Sequence, residues 1–358
     1  MNIRYELLDQ SKRKKPPAKV EGFGQIRTNH IFVADYADGQ WMDPRIVPYS
    51  PFKLMPGAMC LHYGQIIFEG GKAFRHPDGE VHAFRFDQNA KRMNNSADVL
   101  LMPGMPEELQ IEGCMRLIDM EREWCPSEPE SSIYIRPFMF STQDLIGVNA
   151  SSSYTYCILL SPSGPYYKDG FSKAITLYIT GKYHRAVSGG TGTAKAGGNY
   201  AASLKPAKFA NDAGASQVLY LDASNTYIEE AGTMNHYHVL ADGTFIIPEF
   251  NDSILCSITS SSVLELARLG KVKARQEKIA VADFIRDIKA GKIVEAGGLG
   301  TAAVVSPVGK YLLDDGSTVT VGDGEIGKYS RALYELYSGM QTGKIAAPEG
   351  WLVKTPHY

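Results

Sequence analysis

The alternation of apolar and polar positions predicts a chain of short strands interrupted by helices. The turn residues His76-Pro77-Asp78-Gly79 separate two short apolar runs, 72–74 and 81–84, and predict a hairpin. Further runs with the composition or alternation of strands are residues 31–36, 64–69, 132–138, 154–160, 174–179, 217–221 and 237–240.

Apolar residues recur at helical spacing in 106–124, 259–269 and 329–340, and these segments predict helices. A fourth predicted helix starts at Asp87, which we expect to be its N-cap, and runs through Arg92 and Ser96. Because strands and helices do not alternate regularly, the pattern favours an α+β fold over a regular βαβ arrangement.

The length of the chain, 358 residues, predicts two domains. Proline and glycine cluster in Ser161-Pro162-Ser163-Gly164-Pro165, directly after a predicted strand, as in linkers. We therefore expect a small N-terminal domain over 1–163, a linker over 164–174 and a larger C-terminal domain over 175–358.

Composition and charge indicate which kinds of partner the protein is not expected to bind. A net charge of −2 and 44% hydrophobic residues are ordinary for a globular protein, and the basic run Lys12–Lys15 has no interleaved aromatic residues, so no nucleic-acid partner is expected. No apolar run approaches the roughly 18 residues of a membrane span, and the first residues lack a signal peptide's apolar region, so no membrane partner is expected. Five widely spaced cysteines favour a reducing compartment, the cytoplasm, and predict no metal site.

The chemistry centres on the glycine-rich segment 189–198, which contains Lys195. A phosphate-binding P-loop is excluded, because Ala194 and Ala196 flank the lysine where that motif needs glycine and a hydroxyl residue. A dinucleotide loop is excluded because Lys195 stands where the last glycine is required. From these residues alone, an exposed lysine in a glycine-rich surface loop is the simpler interpretation. The alternative is a lysine whose small neighbours let a flat cofactor approach the backbone.

Pyridoxal phosphate needs a lysine, an acid at its pyridine nitrogen and donors for its phosphate. Segment 229–235, Glu-Glu-Ala-Gly-Thr-Met-Asn, supplies a carboxylate between two strand-like runs. Ile258-Thr259, which opens a predicted helix, and Gly300-Thr301-Ala302 are candidate phosphate segments.

Taken together and in order, the motifs make the sequence similar to the branched-chain amino acid aminotransferases, class IV aminotransferases with the fold-type-IV architecture. The resemblance spans nearly the whole chain. It rests on Tyr63 with Phe68-Glu69-Gly70 and Lys72-Ala73-Phe74, on Tyr134-Ile135-Arg136-Pro137, on 189–192 leading to Lys195-Ala196-Gly197-Gly198-Asn199-Tyr200, on 230–235 and on 300–302.

The resemblance implies a two-domain α+β fold, with a small N-terminal α/β domain and a larger C-terminal β-barrel-like domain surrounded by helices. It implies that Lys195 forms the Schiff base with pyridoxal 5'-phosphate and moves the proton during catalysis, that Tyr200 bonds the cofactor's phenolic oxygen, and that Glu230 pairs with the pyridine nitrogen. The residues expected to bind the phosphate are Arg92, Ile258, Thr259 and Thr301.

The implied reaction is reversible, ping-pong transfer of the amino group of L-leucine, L-isoleucine or L-valine to 2-oxoglutarate. The second carboxylate of 2-oxoglutarate is expected at Arg136 and the hydroxyls of Tyr63 and Tyr134. The resemblance implies a homodimer with active sites near the interface, where Val148 reaches in from the partner subunit. The expected substrate-binding residues are Phe23, Tyr63, Phe68, Tyr134, Arg136, Val148, Tyr166, Thr233 and Ala302.

Three alternatives stay open at this point. Within the class, D-amino-acid aminotransferases and aminodeoxychorismate lyases share the fold. From a different class, a non-catalytic dimeric binding protein would retain the fold without the reaction, although the presence of Lys195, Tyr200 and Glu230 together favours an enzyme. His236 and His238 share one face of a predicted strand, but without a third ligand nearby we expect ordinary strand histidines.

Overall fold

The structure, a computed structural model, describes residues 2–20, 22–164 and 171–358. Its contacts divide the chain into two compact units. The N-terminal unit comprises Met1–Lys168, Ala194–Gly198 and Gly339–Tyr358, and the C-terminal unit comprises Asp169–Thr193 and Asn199–Ser338. The segment around Lys195 and the end of the chain thus cluster with the N-terminal unit, whereas the domain limits at 163 and 174 stay predictions.

Strands and helices are numbered in chain order. The strands are β1 (Arg4–Tyr5), β2 (His30–Ala37), β3 (Gln40–Pro48), β4 (Ile66–Phe68), β5 (Gly71–Arg75), β6 (Val81–Phe84), β7 (Ser132–Ser141), β8 (Tyr154–Ser163), β9 (Ile175–Ile179), β10 (Gln217–Leu221), β11 (Ile228–Ala231), β12 (Met234–Leu240), β13 (Phe245–Pro248), β14 (Ala274–Glu277), β15 (Ile293–Gly300), β16 (Val304–Leu313), β17 (Thr318–Thr320) and β18 (Leu352–Lys354). The helices are α1 (Met59–Tyr63), α2 (Phe86–Val99), α3 (Glu107–Met120), α4 (Gly197–Ala202), α5 (Leu204–Asp212), α6 (Ile258–Arg268), α7 (Val281–Lys289) and α8 (Lys328–Gln341), with short 3-10 turns at Gln10–Lys12 and Arg122–Trp124.

The N-terminal unit is built on a nine-stranded sheet in the order β1-β3-β2-β8-β7-β5-β6-β18, with β4 paired to β7. The predicted hairpin is confirmed: β5 and β6 pair antiparallel, and Gly79 in the turn has a φ of 84°, which glycine adopts without strain. The apolar face of α3 is also confirmed, since Leu109, Leu117 and Ile118 are buried in the core.

Helix α2 differs from the prediction at its start. It begins at Phe86, and its N-cap is Arg85 in the left-handed conformation, with a φ of 49°. The prediction that Asp87 is the N-cap is therefore wrong. Asp87 lies in the first turn instead, where its negative charge is favourable against the helix dipole.

The C-terminal unit contains a closed six-stranded barrel in the order β11-β10-β9-β16-β15-β12, because β11 also pairs with β12. Strands β13 and β14 extend the sheet from β12. The core of the unit includes Leu177, Leu219, Ala231, Val308 and Tyr311. Helices α5, α6 and α7 contact strands of this sheet, so the barrel positions the loops and helix ends that carry the candidate cofactor residues.

The histidines of β12 are buried core residues. His236 is fully buried and His238 is 5% exposed, and both rings contact Phe284. Across the described part of the chain, no group of histidine, cysteine and acidic side chains is arranged to hold a metal ion. The described residues contain no disulfide bond. In the same described residues, no helix has both the length and the apolar character needed to cross a membrane.

Candidate active site

In the N-terminal unit, the backbone of Lys195 is fixed on both sides. Its N–H donates to Ser96 Oγ on α2 at 2.9 Å, and its carbonyl accepts from the N–H of Phe68 on β4 at 3.0 Å. The next residue, Ala196, forms a β-bridge with Ile67. The Lys195 Nζ lies 4.9 Å from the centre of the Phe68 ring. Lys195 is therefore held in place by β4 and α2, unlike a lysine in a loose surface loop.

A buried ion pair joins Glu69, the residue after β4, to Arg92 on α2. Glu69 is fully buried and accepts from Arg92 Nε at 2.7 Å and from Arg92 Nη2 at 2.9 Å, with a further bond from Asn89 Nδ2 at 2.7 Å. Burial alone would raise the pKa of the Glu69 carboxyl, but the charge and hydrogen bonds of Arg92, with the charge of Lys195, hold this pKa below its usual value. Glu69 belongs to a motif that carries the family resemblance, but the sequence predicted no role for it. No local sequence feature indicates that its partner lies on α2.

Several predicted substrate residues come together in this unit. The rings of Phe23 and Tyr134 meet edge to face at 4.6 Å. The Arg136 guanidinium lies 4.9 Å from the Phe68 ring centre and 5.1 Å from that of Tyr134, and its Nη2 donates to the Tyr134 hydroxyl at 3.0 Å. Arg136 Nε is buried and has no hydrogen-bond partner within the described residues. The aromatic rings of Phe23, Phe68 and Tyr134 therefore lie beside an Arg136 N–H that can still donate a hydrogen bond.

Two further predicted substrate residues of the N-terminal unit, Tyr63 and Val148, are exposed. Tyr63, at the end of α1, is 41% exposed, and its ring contacts His62. Val148 is 83% exposed, the largest value among the exposed large apolar residues that the structure describes. Tyr166 lies outside the described residues.

In the C-terminal unit, Glu230 on β11 is held in a network that the sequence analysis missed. Its Oε1 lies 3.0 Å from Arg185 Nη2 and accepts from the N–H of Leu255 at 2.8 Å. Arg185 Nη2 also donates to the carbonyls of Gly192 at 2.7 Å and Ser253 at 2.6 Å. Both charged side chains are almost completely buried. The only sequence signal for Arg185 was a lone arginine preceding the glycine-rich segment.

The predicted phosphate segment Ile258-Thr259 opens helix α6. Ile258 and Thr259 are its first two residues, and the Ser257 side chain caps the helix by accepting from the N–H of Ser260 at 3.3 Å. A helix N-terminus with its N–H groups and dipole favours an anion such as a phosphate. Asn235 on β12 ties this helix start to the barrel, since its Oδ1 accepts from the Ser257 N–H at 3.3 Å.

The remaining predicted residues of this unit lie in α4 and in two turns. Tyr200 is in α4, and Thr233 is exposed in the turn between β11 and β12. Thr301 and Ala302 lie in the turn between β15 and β16 and are half-buried. These are the places where short connections carry functional side chains on a rigid barrel.

Comparison with known proteins identifies the family. The model of the class IV aminotransferases matches residues 67–311. Branched-chain-amino-acid transaminase 1 of Bacillus subtilis (strain 168) is 45% identical over 344 residues, which cover 96% of each chain. A probable branched-chain-amino-acid aminotransferase of Staphylococcus epidermidis is 43% identical over 358 residues, covering 99% of each chain.

Solved structures agree with the sequence comparison. The branched-chain amino acid aminotransferase of Escherichia coli superimposes with a TM-score of 0.76 at 25% identity, covering 92% of this chain and 99% of that one. A second branched-chain amino acid aminotransferase, solved with pyridoxamine 5'-phosphate, gives a TM-score of 0.73 at 27% identity, covering 90% of this chain and 98% of that one. The predicted resemblance, α+β fold class and transaminase activity are confirmed. This chain belongs to the class IV aminotransferase family.

Proposed function

We propose that this transaminase moves the amino group between a branched-chain L-amino acid and 2-oxoglutarate, with Lys195 as the lysine that binds pyridoxal phosphate. The observation that carries the proposal is the fixed position of Lys195. Its backbone is bonded to β4 and α2, and its amine lies 4.9 Å from the centre of the Phe68 ring. The 45% identity to a branched-chain transaminase over nearly the whole chain supports the choice of substrate.

The residues present fit pyridoxal phosphate in their chemistry. Glu230, held by Arg185 and the Leu255 N–H, is suited to accept a hydrogen bond from the pyridine nitrogen. The N-terminus of α6 at Ile258 and Thr259 supplies N–H donors for the phosphate. Arg92, Thr301 and Tyr200 complete the proposed set, the first two at the phosphate and the last at the phenolic oxygen. When bound, the cofactor's protonated ring delocalises the negative charge that develops at the substrate Cα.

The chain's own contribution to the reaction is proton transfer and orientation. Lys195 Nζ would accept the proton from the substrate Cα and hold it for its return. Glu69 orients Arg92 through two parallel hydrogen bonds, a geometry that fixes a guanidinium firmly. Arg185 Nη2, 3.0 Å from Glu230 Oε1, holds that carboxylate in place, where it would accept a hydrogen bond from the pyridine nitrogen.

The substrate specificity follows from the aromatic cluster. Phe23, Phe68 and Tyr134 offer apolar surface to a branched aliphatic side chain, whose burial contributes roughly 0.8 kcal/mol per CH₂ group. Arg136, with an available Nε, and the Tyr134 hydroxyl bind the second carboxylate of 2-oxoglutarate. The substrate residues proposed beyond this cluster are Tyr63, Tyr166, Thr233 and Ala302.

The proposal includes a homodimer in the cytoplasm. Val148 is 83% exposed and adjoins Ile146, 77% exposed, and Leu145, 37% exposed. Such a group of exposed apolar side chains supports a contact with the partner subunit. Cysteines that form no disulfide bond in the described part of the chain suit a reducing compartment.

Replacing the lysine tests the proposal. Lys195→Ala is expected to abolish amino transfer from L-leucine, L-isoleucine and L-valine and to remove the visible absorbance of the lysine-bound cofactor. Lys72→Met is the control, because Lys72 is a buried lysine outside the proposed site, with a pKa lowered by burial to about 8. It should keep both signals. Full transaminase activity in Lys195→Ala would overturn the assignment, and activity with D-alanine but not with the branched-chain L-amino acids would favour the D-amino-acid aminotransferase alternative.

A further inference from the structure

Glu229, the neighbour of Glu230 on β11, is a buried carboxylate without a positive partner among the described residues. Successive strand residues face opposite sides, so Glu229 and Glu230 point to different faces of the strand. Glu229 is 3% exposed. Its Oε1 accepts from Ser253 Oγ and lies 3.5 Å from Asn251 Nδ2, whereas its Oε2 has no hydrogen-bond partner within the described residues. A buried carboxylate oxygen left without a partner is costly, so it marks a position where a ligand donor is favourable.

Glu229 lines a cavity of about 470 Å³. Three more carboxylates, Asp222, Glu249 and Glu277, line the same cavity, against one basic side chain, Lys278, in the described lining. The rim acids Glu249 and Glu277 adjoin, since the Glu249 N–H donates to the Glu277 carbonyl at 3.0 Å. Arg275 Nε pairs with the Glu277 carboxylate at 2.6 Å, so Glu277 is already neutralised. Glu229 at the buried end and Glu249 at the rim therefore carry the negative charge that favours a cation.

The residues that line the cavity indicate which kind of cation fits it. The carboxylates are not arranged to hold a metal ion, as for the rest of the described chain. Between the charged ends the cavity is lined by apolar groups, namely Pro248, Phe250, Ile254 and Ile279. Such walls suit a hydrocarbon body, and the volume lies within the range of small-molecule sites.

We propose that this cavity is a binding site for a short aliphatic diamine. One ammonium donates to Glu229 Oε2, where a charge-assisted hydrogen bond supplies both the missing donor and the missing positive charge. The methylene chain lies along Phe250 and Ile254. The second ammonium lies at the rim, at the Glu249 carboxylate. The site involves neither Lys195 nor the proposed substrate residues, so it does not depend on the transaminase reaction.

Isothermal titration of the purified holoenzyme with 1,4-diaminobutane, at constant ionic strength, tests the site. We expect one diamine per chain, with n-butylamine and potassium chloride binding at least about tenfold more weakly, because each lacks the second ammonium or the hydrocarbon body. Glu229→Gln should weaken diamine binding at least about tenfold. Glu325→Gln, at an exposed acid outside the cavity, should leave it unchanged.

A second variant guards against a folding defect. Glu249 is exposed, so Glu249→Gln leaves the buried structure intact and should still weaken diamine binding. A melting temperature and transaminase activity close to those of the unsubstituted chain show that each variant is folded. The proposal is overturned if 1,4-diaminobutane does not bind the unsubstituted chain, if folded Glu229→Gln binds it equally well, or if n-butylamine binds as tightly.

Discussion

Arg185 and Glu230 form a buried ion pair, with Nη2 and Oε1 3.0 Å apart and the two side chains only 6% and 5% exposed. The same Arg185 nitrogen donates to the carbonyls of Gly192 and Ser253, so one guanidinium joins the glycine-rich segment, the segment before α6 and the acid proposed for the pyridine nitrogen. Removing one partner of such a pair leaves the other as an uncompensated buried charge. Arg185 is therefore a positioning residue for Glu230.

Replacing Arg185 by methionine should lower both stability and cofactor affinity. We expect a loss of about 3 kcal/mol in the free energy of unfolding, measured by urea denaturation, because Glu230 keeps its burial and loses its countercharge. The dissociation constant for pyridoxal phosphate, measured by its absorbance, should rise as well. Arg286→Met, at a pair on the surface of α7, is the control and should change neither quantity. A stable Arg185→Met chain with unchanged cofactor affinity would show that Glu230 is positioned by other groups.

The sequence predicted elements well where one local pattern decides them. The 72–84 hairpin and the helix at 107–120 follow from turn residues and helical spacing, and both are found. Strands β11, β15 and β16 were not predicted, because they carry acids, glycines or continuous apolar runs and are fixed as strands by closure of the barrel. Prediction from local patterns also failed at Arg85, because no local sequence signal indicates its left-handed conformation at the start of α2.

For the candidate site too, local features were predictable from the sequence and long-range pairs were not. Lys195 and the Ile258-Thr259 helix start were predictable, because a motif and a helix boundary are local features. The ion-pair partners of the charged residues could not be predicted. Glu69 meets Arg92 across 23 positions, and Arg185 meets Glu230 across 45, so only the folded backbone brings the opposite charges together.

Substitution of Gly192 should disturb the proposed acid from a distance. A Cβ at Gly192 would lie 2.4 Å from the Ser253 carbonyl oxygen and 2.5 Å from the Ser253 Cα, and these backbone atoms cannot rotate away. Gly192→Ala should therefore displace the Ser253 segment, destabilise the chain by about 1–3 kcal/mol and weaken pyridoxal phosphate binding. Gly198→Ala is the matched control, since its Cβ would meet nothing within 4 Å. Thermal unfolding and cofactor titration of the two variants compare them directly; equal behaviour would contradict the expected clash.

Arg136 should discriminate between the two kinds of substrate. Its Nε is buried without a partner in the described residues, and its Nη2 is occupied by the Tyr134 hydroxyl, so the guanidinium can receive one further carboxylate. We expect Arg136→Met to raise KM for 2-oxoglutarate about tenfold or more, as for a lost charged hydrogen bond. KM for 4-methyl-2-oxopentanoate, which has no second carboxylate, should change much less. Steady-state kinetics with both oxo acids provide the measurement, and an equal rise in the two KM values would place the carboxylate elsewhere.

Lys72 should give the stability of the chain a pH dependence of its own. Burial disfavours the charged ammonium and lowers the pKa of Lys72 to about 8, against about 10.4 for an exposed lysine. Between these two pH values the unfolded chain binds more protons at this group than the folded chain does, so the contribution of Lys72 to stability increases as the pH rises. The change amounts to at most about 3 kcal/mol. Lys72→Met removes this contribution, so the free energy of unfolding of the unsubstituted chain relative to the variant should be higher at pH 10 than at pH 7.5 in urea titrations. Tyrosines and thiols that titrate in the same range cancel in that comparison, and a difference that does not change with pH would mean that Lys72 is not the group responsible.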